Sequence, residues 1–536
     1  MELGWLGLGR VGPLGLAVSS RPSTAVDEVS LSESAPIMKS RSILTGAIFA
    51  ALAACSLAPR YQRPDTAPAP AAYREALGWT LATPSDTEPR GPWWTVFQDT
   101  TLDGLEAQVT GANQDLKAAF ARLEQARAQT RIAGAARLPS VTADASAIRN
   151  QASTNSRTYI ASEPRTYNDF LAGVALSYEI DLFGRVRNTI AGARASEQAT
   201  VGDVAALDLN LRAELASNYF TLRGLDAEQE LLDRTVADYQ RALRLTEFLY
   251  RDGLAASSDV QQARAQVDLA ETQAEEIRLR RAQSEHAIAT LVGQQASRFK
   301  LAPQPLQLAS ALPPINLELP SQLLERRPDV AAAERRVAAA NAGIGVARAA
   351  YFPVFNLAGA FGLDSTSASS WLGAPSRFWS IGPQGLLTVF DGGLHRAQSA
   401  AAQAAYEEQA ANYRASVLTA FQEVEDNLAA LRQLERENVS QTAAVAATQA
   451  ALDQANARYQ SGLVTYLEVV STENAALSAR LMAVDIIARR LTAAVLLIRA
   501  LGGDWACRAV SPPFSPGQPG SRRPSFALPC PDAPAP

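Results

Sequence analysis

Apolar residues first recur at helical spacing at Leu102, Leu105 and Val109, then at Leu116, Phe120 and Leu123. The helix that begins near Asn113 is predicted to end near Arg137, because Pro139 cannot continue it. Past Pro139 the period falls to two. Val141, Ala143, Ala145 and Ala147 alternate with Thr142, Asp144 and Ser146, and a polar loop follows over about 150–168. A second strand sets Phe170, Ala172, Val174, Leu176, Tyr178, Ile180 and Leu182 on one face. Its other face carries Leu171, Gly173, Ala175, Ser177, Glu179 and Asp181. A run of ~12 alternating residues fits a membrane barrel strand with a wet lumen side. A soluble sandwich strand has the same alternation but is usually about half as long.

From about Arg185 to Arg251 the pattern returns to helix, rich in Ala, with Arg, Asp, Glu and Gln on the remaining faces. A helix of ~67 residues at 1.5 Å per residue is ~100 Å long. It is too polar to cross a bilayer, so it is expected to project through water, packed on neighbours as a coiled coil. The tip YRDGLAASSDV turns the chain, with Gly253 as a left-handed stop and Ser257, Ser258 and Asp259 as N-cap candidates for a return helix to about Gly293. Residues 299–320, with five prolines, form a non-helical connector.

The second half repeats the first. Tyr250 matches Tyr459, Gly253 matches Gly462, Leu254 matches Leu463, Asp259 matches Glu468 and Arg187 matches Arg396, all about 209 positions apart. Asp115, Arg122 and Pro139 recur as Asp329, Arg336 and Pro353 at about 214. Strands are expected at 355–363 and at about 379–390, then the junction Asp391-Gly392-Gly393, a long helix, the tip YQSGLVTYLEV and a return helix to about Gly503.

Composition narrows the function classes. A net charge of −5 with no basic block gives no reason for nucleic-acid binding. Two His and three Cys leave little from which to build a metal site or a catalytic triad, and no P-loop or GxSxG is visible. No cofactor is called for. His286 and His395 read as isolated structural residues, and Cys507 with Cys530 either pair in an oxidising compartment or are two tail thiols.

The N-terminus carries an export signal. Residues 1–37 resemble no domain, and Met38 reads as the true start. Lys39 and Arg41 precede an apolar run, Ile43 to Ala54, too short to span ~30 Å of hydrocarbon. The run ends in Leu52-Ala53-Ala54-Cys55, which resembles a bacterial lipobox, with Cys55 as the lipid attachment residue and Ser56 next to it resembling an outer-membrane sorting signal. Two or three acyl chains at ~0.8 kcal/mol per buried CH₂ anchor firmly. The expected organisation is therefore a signal peptide at 38–54, a lipidated Pro/Ala-rich tether at 55–92 leading away from the membrane, repeats at 93–298 and 321–503 joined by the connector, and a disordered tail at 504–536.

The segment LLERRPDVAAAERRVAAANAGIGVARAAYFP, the junctions FDGG and EIDLFGRVR and the two tips resemble the outer-membrane efflux factor, or TolC-like, family, and the lipobox resembles its lipoprotein NodT-type subgroup. The resemblance implies an α+β membrane protein. Three chains would give four strands each to a 12-stranded outer-membrane β-barrel, continuous with a periplasmic α-helical coiled-coil barrel. Four strands cannot close a barrel alone, and lipid does not tolerate open edges. The implied function is a passive exit duct working with a periplasmic adaptor and an inner-membrane transporter. Protein secretion, or a poreless structural lipoprotein, are the alternatives. The tips Asp252-Gly253-Leu254 and Ser461-Gly462-Leu463 match the family's adaptor-docking positions, although a Gly C-cap accounts for either tip alone. Tyr459 and Glu468 match the family's periplasmic gate, with Asp259 as the repeat partner of Glu468; either three Glu468 form an anionic ring there, or Glu468 is a solvated helix carboxylate. Val464 and Ser471 stand where relatives carry Arg and Asp, so Leu467 and Val470 are expected to contribute apolar packing there.

Overall fold

In the computed structural model the alternation of periods along the chain becomes two copies of one motif. Residues 56–66, 73–75, 92–155, 162, 164–306 and 327–503 are described, all within one unit. After a 3-10 turn at Trp93–Phe97, α1 spans Thr100–Ala112 and α2 Gln114–Ala135. Strands β1 (Ser140–Gln151) and β2 (Thr166–Ile180) lead into α3 (Arg185–Arg251) and α4 (Ser257–Leu291). The second copy is α5 (Pro328–Ala349), β3 (Val354–Ser365), β4 (Arg377–Leu386), α6 (Leu394–Gln460) and α7 (Tyr466–Ala500). Corresponding helices have equal lengths: 67 residues in α3 and α6, 35 in α4 and α7. The offset between the copies drops from about 214 to about 209 between the strands of each half, so the strand-joining loop is where the copies diverge. The fourth strand stops at Leu386, short of the expected Phe390, since Gly382, Pro383 and Gly385 leave it few side chains to pack.

The sheet is antiparallel in the order β1-β2-β3-β4. Its register sorts the side chains by face. Val141, Leu176, Gly359 and Ile381 lie in one row, and Ala143, Val174, Phe361 and Trp379 in another on the same face. The opposite face carries Thr142, Ala175, Ala360 and Ser380, then Asp144, Gly173, Gly362 and Phe378. One face is thus mainly apolar and the other mainly small or polar, and neither is covered: Phe361, Trp379 and Ile381 are all exposed. Among the described residues the outer sides of β1 and β4 are unpaired. Among the described residues no helix is long and apolar enough to cross a membrane.

Each strand-to-helix junction is held by an aspartate. Asp181 accepts from the backbone N–H of Val186 (3.2 Å) and Arg187 (2.8 Å). Asp391 accepts from those of Gly393 and His395, both at 2.8 Å. A carboxylate at these first-turn donors satisfies orphan groups and opposes the helix dipole. His395 is not isolated: Nδ1 lies 3.6 Å from Asp391 and the ring packs edge-on against Tyr351 at 5.6 Å.

The helices pack as α4-α3-α7-α6, two antiparallel hairpins joined along an α3–α7 seam, with α2 and α5 packed on the sheet-side part of α3 and α1 on its middle. On α4 the buried residues Val260, Ala263, Val267, Ala270, Ala274 and Ile277 step by three and four, a coiled-coil seam with small residues at the contact. The close approach of α3 to α5 depends on Gly202, where a Cβ would come within 2.8 Å of the Pro328 carbonyl. The connector after α4 is tied to a buried charge. Asp226 accepts from Arg223 (3.0 Å), Arg281 (2.6 Å) and the Gln304 N–H (2.9 Å).

The tether is not a free spacer. Its described residues are strapped along α5 and α6. Ser56 donates to Asn188 (3.0 Å), Asn341 donates to the Pro59 carbonyl (2.9 Å), and Tyr61 bonds Glu334. Arg63 donates to the Tyr413 hydroxyl (2.6 Å), and Tyr73 is buried beside Val330 and Tyr413. The backbone N–H groups of Arg74 and Glu75 then meet Glu425 at 2.8 and 3.0 Å. One buried tyrosine, one half-buried tyrosine and these polar contacts hold the segment against the helices. Cys55, Cys507 and Cys530 lie outside the described residues, as do the signal peptide, the tail and connector residues 307–320.

Candidate functional site at the hairpin tips

Both long helices end on a glycine in the left-handed region, Gly253 with φ 73° and Gly462 with φ 69°. Gly253 N–H donates to the Tyr250 carbonyl (3.0 Å) and Leu254 N–H to that of Leu249 (2.8 Å). Gly462 and Leu463 repeat this with Tyr459 and Arg458, both at 2.9 Å. These paired bonds are the Schellman arrangement, which satisfies the last carbonyls and reverses the chain. The reversal leaves Leu254 75% and Leu463 72% exposed. Asp252 and Ser461 are the C-caps beside them.

The return helices start differently from the expectation. Ala256 is the N-cap of α4, and Ser257 and Ser258 are already helical. Asp259 reaches back to the Ala256 N–H at 3.4 Å. Below the tips a small core joins the hairpins: Ala263 from α4, Ala455 from α6, and Tyr466, Val469 and Val470 from α7. Val470 packs as expected, whereas Leu467 is exposed.

The three gate candidates divide. Tyr459 packs against Tyr466 with tilted rings, centroids 5.4 Å apart, and lies beside Thr246 of α3. Burial, and then the negative charge of Asp259, push its phenol pKa up, while the Thr246 hydroxyl opposes them. Asp259 therefore acts on Tyr459 through its charge, across the two hairpins. Glu468 does not join them, because it accepts from Arg458 Nη1 at 2.7 Å across its own hairpin. That pair is exposed and contributes at most about 1 kcal/mol. Arg458, Thr246 and Tyr466 were not found from sequence. Their repeat counterparts are Leu249, Ala455 and Ser257, so a search for what the copies share passes over them.

Residues 107–294 and 319–503 match the family of outer membrane efflux proteins. The chain belongs to the outer membrane efflux protein family. It is 33% identical to the outer membrane protein OprJ of Pseudomonas aeruginosa over 459 residues, which cover 85% of this chain and 94% of OprJ. It is 30% identical to the cation efflux system protein CusC of Escherichia coli, over 85% of this chain and 97% of CusC. The solved outer-membrane channel OprN superposes with a TM-score of 0.77 at 30% identity, covering 84% of this chain and 99% of OprN. The protein is an outer-membrane efflux channel component of α+β fold that reaches into the periplasm. For such a channel the sheet is the membrane end of each protomer, and the tips lie at the other end of helices ~100 Å long.

Proposed function

We propose that three copies of the chain form the exit duct of a tripartite export system for drugs or other small molecules. One observation carries this reading: a four-stranded sheet with an apolar face, a small or polar face and two unpaired edges, mounted on two 67-residue helices. β1 of one copy would pair with β4 of the next, and α4 would pack on the next α6, closing a 12-stranded barrel above a helical one. Cys55, once acylated, would sit at the membrane end of α3, where Ser56 is bonded to Asn188. The protein is then a lipid-anchored trimer in the outer membrane.

In this reading Asp252-Gly253-Leu254 and Ser461-Gly462-Leu463 receive a periplasmic adaptor, which links the duct to an inner-membrane transporter. Two exposed leucines on fixed, side-chain-free turns offer apolar contact with close backbone access. Tyr459 and Asp259, with the Glu468–Arg458 pair beside them, form the gate at the same mouth. Outer-membrane fractions should contain a heat-modifiable trimer, and monomer alone would overturn the duct. Leu254→Ser with Leu463→Ser should keep that trimer and lower capture of the cognate adaptor at least tenfold. Unchanged capture would remove the tips from docking.

A further inference from the structure

The α3–α7 seam is the main contact between the two hairpins on the tip side, so any widening of the mouth within a protomer has to act on it. Three polar groups are sealed into this part of the structure without hydrogen-bond partners. They are the hydroxyl of Tyr239 on α3, the hydroxyl of Tyr466 on α7, and Oε2 of Glu473, two turns further along α7. Both tyrosines are more than nine-tenths buried. Buried polar groups normally find partners, and an unpaired one costs about 1–3 kcal/mol. Three together mark a place where a closed arrangement is held against a polar cost.

The charges around Glu473 have one sign. From α3 come Tyr239 and Asp238, and Asp238 is itself paired with Arg241. From α7 comes Tyr466, which Tyr459 of α6 touches in turn. On α6, Gln449 is bonded by Arg480 and by its own contact to Asp453, which occupies both. On the α4 side Tyr239 meets Val267 and Ala270, and Glu271 takes the amide of Gln240. Among these described neighbours none is a cation directed at Glu473. Burial first, and then Asp238, push its carboxyl up to about 7.

We propose that Glu473 makes the α3–α7 seam an acid-sensitive latch, closed when the carboxyl is protonated and loosened when it ionises. The sign follows from where the proton is held. The closed seam holds it more tightly than a solvated carboxyl does, so closure is fully supported below the ordinary Glu range. That support is lost as pH rises towards about 7. Glu473 as a whole is half-buried, but ionisation leaves its enclosed Oε2 charged and unpaired next to Asp238, and parting the hairpins lets water reach that oxygen. The latch would make the duct shut in acidic surroundings and yield more readily near neutrality, with adaptor docking acting on a seam already weakened.

This inference rests on the duct reading, and the test separates the two. The full-length lipidated trimer is reconstituted in planar bilayers and its conductance recorded from pH 5 to pH 8. Wild type should rise at least threefold with a midpoint between 6 and 7.5, Glu473→Gln should stay low and flat, and Asp238→Asn should move the midpoint down by at least half a pH unit. A wild-type conductance independent of pH overturns the latch while leaving the duct. An unchanged profile in Glu473→Gln overturns it too, as does an unmoved midpoint in Asp238→Asn, a surface substitution that leaves the fold untouched. Absence of current at every pH overturns the duct reading and the latch with it.

Discussion

At the scale of single residues, the same amino acid does different work according to what surrounds it. Gly462 has a positive φ but nothing within 4 Å of where a Cβ would stand. Gly293 has φ 67° and a Cβ there would lie 2.4 Å from the Ala112 carbonyl. Gly462→Ala therefore costs only the left-handed backbone, about 1–2 kcal/mol, whereas Gly293→Ala also requires α1 to move. Thermal unfolding should show a small loss for the first and a much larger one for the second. Glu106 makes a similar point about charge. It is fully buried on α1, with Arg212 3.6 Å away, yet burial holds its carboxyl up at about 8. A carboxyl raised in the folded state supports the fold below the ordinary Glu range and loses that support as pH climbs to about 8. Glu106→Gln should match wild type at pH 4 and melt higher than wild type at pH 8, so an equal pH slope in both proteins would contradict it. The alternating apolar pattern made Leu105 and Val109 readable as core, but nothing in that pattern marks Glu106 as the buried acid between them. Only the arrival of Arg212 and Trp94 over α1 encloses it, with the guanidinium 4.5 Å above the Trp94 ring.

Elements were more legible than their fastenings. The 67 residues of α3 stand between Gly184 and Gly253, both at positive φ, so glycines bracket the helix at each end. Strand faces were readable because period two survives any tertiary arrangement. The register supplied what period alone could not, namely that the apolar positions of four strands line up across one face. That face should tolerate no charge in a membrane. Phe361→Arg is expected to cost about 2–4 kcal/mol and to lower the yield of heat-resistant trimer, while Ser380→Arg on the other face should assemble normally. Equal losses would mean that both faces are buried in protein. The tether was misjudged because Pro and Ala composition reports the conformation a segment prefers alone, and the partners that hold this one come from residues 130 to 350 positions away.

On the scale of the whole molecule, duplication places two like hairpins side by side, so the structure must decide where the likeness ends. Thr246 of α3 lies beside Tyr459 of α6, and Tyr459 packs on the tip core that also holds Ala455, whereas its own repeat counterpart Tyr250 is half exposed. Shared positions make the rods and the turns. Divergent ones make the contacts between rods. The Asp226 network belongs to this scale because it ties α3, α4 and the connector together. Arg223→Met should destabilise the protein by about 3–5 kcal/mol, since the carboxylate loses one of its cations in a site closed to water. A much smaller loss in denaturant unfolding would mean that Arg281 alone neutralises Asp226.

The sequence by itself determined the helices, the strands, the turns at Gly253 and Gly462, the duplication and the resemblance to the efflux family. All of these are set by local φ/ψ preference, by periodicity or by motif, and only the duplication needs a comparison across about 209 positions. Tertiary structure alone decided that Glu468 is engaged by Arg458, that Asp259 acts on Tyr459 through its charge, that the described part of the tether is strapped to the helices, and that Glu473 Oε2 is enclosed near Tyr239. The first depends on how one hairpin turns, and the others on which helix faces meet across one hundred residues or more. Contacts of that kind are fixed by packing, which a one-dimensional pattern of polar and apolar positions constrains only by face.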